Sequence, residues 1–163
     1  MLPDLGALYE DHAPSVWRYA RARLPTDADA EDVTSDVFIR AARSTHTFDP
    51  ERGSPRAWLM GIARNAAADW WRRRTPDAPN ARVPDVPGDE DDPADEVLRT
   101  DAVDTLRKVL GMLSEREAEA IALRFGAELS SADIGAALGI SPTAARMLVH
   151  RAVTRLRGVL QDG

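Results

Sequence analysis

Apolar residues recur at steps of three and four along most of this chain, which is the spacing of an amphipathic α-helix. The pattern predicts a helix over residues 2–24 and a second one over residues 29–43. Pro14 lies inside the first stretch, and we expect it to split that helix or to sit in the first turn of its second piece.

A third helix, over residues 55–74, has a clear start signal. Ser54 can accept a hydrogen bond from a free amide of the first turn, and Pro55 gives up an amide that has no partner there. The predicted apolar stripe of this helix consists of Leu59, Ile62, Ala63, Ala66 and Trp70. Its other face and its end carry Arg56, Arg64, Asn65, Trp71, Arg72, Arg73 and Arg74.

Two interpretations of that polar face remain open. Basic, amide and aromatic side chains together can grip phosphate, read base edges and stack on unpaired bases. A core helix with a solvated face and a cationic end that suits its dipole would look the same. The second helix has a polar row as well, for which a solvated face is the simplest explanation: Asp32, Ser35, Asp36 and Arg40.

The stretch 75–93 interrupts the helical pattern. It contains five prolines, an acidic run at 89–92 and almost no large apolar side chains. Such a segment buries too little surface to offset its ordering entropy, so we expect a flexible acidic linker. The chain is therefore predicted to be all-α, with two small helical domains at 1–74 and 94–163.

The second domain is marked by helix caps. After a helix over 94–112, Ser114 and Glu117 fit a capping box, and the helix that follows should bury Phe125. Gly139 then suits a left-handed stop between two short helices, which predicts a helix-turn-helix. Its second helix should face the core with Val149, Ala152, Val153 and Leu156. In such motifs the N-terminal residues of that helix enter the major groove; here the exposed candidates are Ser141, Thr143, Arg146, His150 and Arg151.

Charge and composition narrow the function classes. The net charge is −6, but the acidity is concentrated at 75–105, with 10 acidic and 2 basic residues, so it does not exclude local phosphate contacts. The absence of cysteine and the three scattered histidines predict no metal site, and no phosphate loop or nucleophile–base set predicts a cofactor or an enzyme. Without an apolar run of membrane length or a leader pattern, we expect a cytoplasmic protein.

The two predicted domains resemble those of the bacterial extracytoplasmic-function (ECF) sigma factors, the promoter-specificity subunits of RNA polymerase. The order and spacing of the motifs carry the resemblance, and it covers nearly everything except the linker. The matching stretches are 29–33, 37–41, 48–54, 56–59, 62–65, 113–124, Ile134, 138–141 and 150–152.

This resemblance implies roles for the candidate residues. The first domain, sigma region 2, should dock on core RNA polymerase through Asp32, Ser35, Asp36 and Arg40. The second, sigma region 4, should read the minus-thirty-five element of promoter DNA through the helix-turn-helix residues given above. Residues expected to capture and melt the minus-ten element are Arg52, Arg56, Arg64, Asn65, Arg72 and Arg73.

Some positions depart from the family pattern. Pro142, Met147 and Leu148 stand where relatives often have small, charged or basic residues, which predicts an altered set of groove contacts. The pair Trp70 and Trp71 is also unusual, and periodicity buries the first whereas position-matching buries the second.

The resemblance implies partners too: core polymerase, promoter DNA and an anti-sigma factor. We expect little affinity for free promoter DNA, because an acidic subunit has no broad cationic footprint. The alternatives are a regulator that acts alone through the helix-turn-helix and an interaction protein that makes no DNA contact.

Overall fold

The computed structural model describes residues 2–75 and 111–162, and within these two segments every regular element is helical. The first unit, 2–75, contains α1 (Leu5–Arg23), α2 (Asp27–Arg43), a 3-10 turn (Thr45–Thr47) and α3 (Pro55–Arg74). The second unit, 111–162, contains α4 (Glu115–Ile121), a π-helical turn (Ala122–Gly126), α5 (Ser131–Leu138) and α6 (Pro142–Asp162). The all-α prediction is confirmed. The predicted linker and the helix at 94–112 lie almost wholly outside the described residues.

The helix starts follow the predicted caps. The Ser54 hydroxyl oxygen accepts from the amide of Ala57 at 3.1 Å, directly before Pro55. Ser114 and Glu117 form the reciprocal capping box at the start of α4. Gly139 ends α5 with a φ of 71°, a left-handed conformation that glycine adopts without a Cβ penalty.

The prediction that Pro14 breaks α1 is wrong. The helix runs through Pro14 without interruption, although proline removes one backbone hydrogen bond and costs roughly 3 kcal/mol in a helix interior. Leu8 lies one to two turns before it, and Val16 and Tyr19 follow, all three almost completely buried. Apolar packing on both sides of the proline holds the helix together.

Of the tryptophan pair, Trp71 is the buried residue, as the comparison of positions with the family predicted and the helical periodicity did not. Trp71 is 9% exposed, and its indole N–H donates to the backbone oxygen of Arg23 at 3.0 Å. Trp70 is only partly buried and carries the guanidinium of Arg74 over its ring at 3.6 Å. Phe125, which was predicted to be inside, is 60% exposed because it lies in the π-helical turn, where the wider winding rotates side chains off the preceding stripe.

One hydrophobic core runs through both units. It joins Val16 and Leu59 of the first unit to Leu123 and Ile134 of the second. Helix α1 packs on the π-helical turn so closely that a Cβ on Gly126 would lie 3.3 Å from the backbone of Tyr19. The two predicted units are thus present, and they are packed against each other. None of the described helices is both long and apolar enough to cross a bilayer.

Candidate nucleic-acid interface

A cavity of about 320 Å³ lies between the N-terminal half of α3, the loop before it and helix α5. The loop is held by Trp58, whose indole N–H donates to the Thr47 hydroxyl oxygen at 3.0 Å and whose ring packs against Phe48 in a T-shaped arrangement. The second unit closes the other side of this cavity with Ala136 and Ala137. An aromatic ring, basic groups and an amide therefore share one concave surface.

The structure brings three of the six predicted minus-ten residues to this cavity. Arg52, Arg64 and Asn65 line it, and both Arg52 and Asn65 are exposed. The other three do not line it: Arg56, Arg72 and Arg73.

Two of the three outlying arginines are engaged elsewhere in the first unit. The Arg56 Nε donates to His12 Nδ1 at 3.4 Å, and burial followed by the Arg56 charge lowers the pKa of His12. Arg72 pairs with Asp69 at 2.8 Å at the end of α3. Arg73 is exposed beside it.

Arg64 is held by the second unit. Its Nε donates to the Glu119 carboxylate at 3.1 Å, and its Nη1 donates to the backbone oxygen of Ala137 at 2.9 Å. Glu119 lies in α4 with its side chain 11% exposed, and it also accepts from the Tyr19 hydroxyl and pairs with Arg23 Nε at 3.2 Å. Burial, and then the charge of Glu119, raise the pKa of Tyr19 well above its usual value, so this phenol stays a proton donor.

The sequence reasoning missed this Glu119 cluster. Glu119 stands four residues before the fully buried Leu123, so the helical spacing did place it on the inward side of α4. What the spacing cannot show is the partner, because Tyr19 and Glu119 are 100 positions apart in the chain.

The polar row of α2 is partly used inside the first unit. Asp32 and Ser35 are exposed, whereas Arg40 bridges two helices. It pairs with Asp36 at 3.0 Å and with Asp69 of α3 at 2.9 Å. The pair of Asp36 and Arg40 therefore fixes α2 on α3, and the open part of the row is at Asp32 and Ser35.

Helix α6 presents its predicted residues to solvent. Thr143, Arg146, His150 and Arg151 are exposed, with Met147 at 57% among them. The Ser141 hydroxyl oxygen is exposed as well, and it accepts from the amide of Ala144 at 3.0 Å to cap the helix.

Leu148, one of the three positions that depart from the family pattern, lies in the core. Leu148 is 7% exposed, because it stands three residues after Ala145 and four before Ala152, which are both fully buried. That spacing was visible in the sequence and identifies Leu148 as a core position.

Each of the two units matches a known protein family. Residues 8–76 match the family described as Sigma-70 region 2, and residues 109–158 match Sigma-70, region 4. The chain is 33% identical to the ECF RNA polymerase sigma factor SigL of Mycobacterium tuberculosis, over 96% of this chain and 88% of SigL. The chain belongs to the ECF RNA polymerase sigma factors. As such it is a transcription initiation factor.

Two further comparisons bear on this sigma factor. It is 33% identical to the ECF RNA polymerase sigma factor BldN of Streptomyces coelicolor over 96% of its own length, and it spans 60% of the length of BldN. The solved structure of CnrH in complex with the cytosolic domain of CnrY is similar over 97% of this chain and 88% of that chain, with a TM-score of 0.73 and 26% identity. A likeness of that extent covers both units together.

Proposed function

We propose that this sigma factor binds core RNA polymerase and directs it to promoters, with region 2 at the minus-ten element and region 4 at the minus-thirty-five element. The observation that carries the proposal is that each unit matches a sigma-70 region and also exposes basic and polar residues at its predicted DNA face. The domain limits proposed are 1–74 and 94–163.

At the minus-ten element, a base that has left the stack would enter the cavity beside α3. A single-strand reader needs an aromatic surface, hydrogen-bonding groups and cations along the backbone. Trp58, Asn65 and Arg52 supply these three in turn. Further contacts to the strand along α3 would come from Arg56, Arg64 and Arg72 after they release their present partners. Arg73 is already exposed and would add a fourth cation.

The polymerase contact is proposed at the exposed part of the α2 row, Asp32 and Ser35, with Asp36 and Arg40 holding that helix in place. A protein that holds both units, of the anti-sigma class, is the second proposed partner. The likeness to CnrH, which was solved with a protein domain bound, supports this. We further propose that the protein acts in the cytoplasm, beside the polymerase, and not as an enzyme.

The test is run-off transcription with core polymerase from the same organism on genomic DNA, followed by sequencing of the transcripts. We expect defined start sites that appear only when both proteins are present. Replacing Asn65 with Ala should reduce them, whereas replacing the exposed Glu10 of α1 with Ala should not. Tight binding to promoter DNA by the isolated protein, without any initiation, would instead indicate a regulator that acts alone.

A further inference from the structure

The contact between the two units is built around a buried carboxylate. Glu119 of the second unit receives the Tyr19 hydroxyl, Arg23 Nε and Arg64 Nε from the first unit. Arg23 is itself buried, with a side-chain exposure of 8%, and also pairs with Glu115. Charged groups of this kind are stable inside a protein only while they remain paired.

The same contact occupies a proposed DNA-binding residue. The Arg64 guanidinium donates to the Glu119 carboxylate and to the Ala137 carbonyl oxygen, and the same N–H donors would be used to bind a phosphate. Helix α5 also covers the cavity from one side, through Ala136 and Ala137. In this arrangement Nε and Nη1 of Arg64 are already bonded, so a DNA strand must compete with the second unit for this guanidinium.

The size of the packed chain leads to the same conclusion. Elements centred near −10 and −35 lie about 25 base pairs apart, or about 85 Å along the duplex at roughly 3.4 Å per base pair. A packed chain of this length has a radius of gyration of about 15 Å and hence a diameter of about 40 Å. The two units cannot reach both elements while they share one core.

We propose that the packed arrangement is an autoinhibited resting state in which Glu119 takes the place of DNA at Arg64. Polymerase binding must then separate the units before the promoter is read. This inference rests on the proposed function, because it assigns a regulatory step to the same minus-ten site.

A covalent lock tests the proposal directly. The chain contains no cysteine, and a Cβ on Gly53 would lie 3.3 Å from the Cβ of Ala136, close to the roughly 3.5–4.5 Å that a disulfide spans. The double variant Gly53→Cys with Ala136→Cys should therefore close the interface when oxidised and release it when reduced. The oxidised Gly53→Cys single variant is the control for the substitution itself.

The readout is run-off transcription with core polymerase. We expect the oxidised double variant to fall to the background level seen without sigma factor, and reduction to restore activity to that of the single variant. Equal activity in the oxidised and reduced forms would overturn the lock and leave the proposed function intact. Inactivity of the unaltered protein would instead contradict the proposed function.

A second variant reports on Glu119 without a cross-link. Glu119→Gln removes the charge that holds Arg23 and Arg64, whereas Glu128→Gln removes an exposed pair with Arg18, at 3.7 Å, across the same interface. The free protein carrying Glu119→Gln should bind a fluorescent random-sequence single-stranded DNA pool about tenfold or more tightly, and Glu128→Gln should not change binding. Unchanged binding by a folded Glu119→Gln protein, judged by circular dichroism, would count against the proposal. If the reduced Gly53→Cys/Ala136→Cys variant is inactive, the DNA-binding measurement on Glu119→Gln and Glu128→Gln decides whether the proposal stands.

Discussion

The two proposed DNA faces of this sigma factor are in different states. On α3, Arg64 is half-buried and bound to Glu119 and Ala137. On α6, Arg146 is exposed, and within the two described segments no hydrogen bond or ion pair holds it. The face on α3 is partly covered by the other unit, and the face on α6 is open.

This difference shows that a cationic residue on a predicted DNA-binding face can already be bound by another part of the same protein. A guanidinium binds whichever oxygen anion is near, and here the second unit supplies a carboxylate from its own core side. We therefore propose two roles for the second unit: it reads the minus-thirty-five element, and it covers part of the surface that reads the minus-ten element.

The largest expected effect distinguishes a buried position of α6 from the exposed position beside it. Leu148→Arg places a charge in the core and should cost about 3 kcal/mol or more of unfolding free energy. Met147→Arg, one residue away and exposed, should change it by no more than about 0.5 kcal/mol and strengthen DNA binding at low salt. Urea unfolding followed by circular dichroism measures both. Equal losses in the two variants would mean that the open face is misplaced.

The next effect compares the two faces in transcription. Arg64→Ala should lower initiation by roughly tenfold or more at every promoter, since a lost strand contact costs about 1–3 kcal/mol. Arg146→Ala should lower it to a smaller extent, and only at templates with an intact minus-thirty-five element. Saturating core polymerase keeps the closed form from masking the loss. If scrambling that element left the Arg146→Ala defect unchanged, Arg146 would not be reading it.

A smaller effect separates a local cap from a contact that crosses between the units. Ser54 caps α3 and also donates its hydroxyl to Asp133 at 3.1 Å, whereas Ser130 only caps α5. Each serine-to-alanine change should cost about 1 kcal/mol for the cap. Ser54→Ala should cost roughly 0.5–1.5 kcal/mol more for the crossing bond. Thermal unfolding of the two variants gives the difference, and identical costs would show that the crossing bond contributes nothing.

The smallest effect is the pH dependence of the stability that the Glu117 carboxylate contributes within the second unit. Burial alone would raise the pKa of Glu117, but the hydrogen bonds from Ser114 and the charges of Arg155 and Arg151 outweigh it and lower the pKa below 4.5. A lowered pKa means that the stabilisation is present above the ordinary carboxyl pKa and is lost as the pH falls through the lowered one. Glu117→Gln should therefore narrow the difference in unfolding free energy between pH 7 and pH 3. A slope equal to that of the unaltered protein would assign the titration to another group.

Local signals in the sequence predicted local structure well. Ser54, Ser114 and Gly139 act within one helical turn, so their residue types specify the helix starts and the turn between α5 and α6. Packing effects were not predictable in that way. The helix continues through Pro14 because Leu8, Val16 and Tyr19 on either side of it are buried in the core, and Phe125 is exposed because of a π-helical turn that no residue type indicates.

The same contrast between local signals and tertiary packing applies to the candidate site. Helical spacing predicted that Asn65 and the N-terminal residues of α6 face outward, because each lies on a single element, and the structure exposes them; Arg52, in the loop before α3, came from the family resemblance. It did not find that Arg64 pairs with Glu119, since that contact joins residues 55 positions apart. The closed state is a property of the tertiary structure and is absent from any helical pattern.

The distance between the two units tests the central claim most directly. Glu10 and Gly158 are exposed on α1 and α6, so spin labels on Glu10→Cys and Gly158→Cys in this cysteine-free chain report that distance by pulsed electron paramagnetic resonance. We predict one narrow distribution below about 45 Å in the free protein. In the complex with core polymerase and promoter DNA it should move beyond about 60 Å, towards the spacing of the two elements. A long, broad distribution in the free protein, or a short distance that persists in the transcribing complex, would contradict the account.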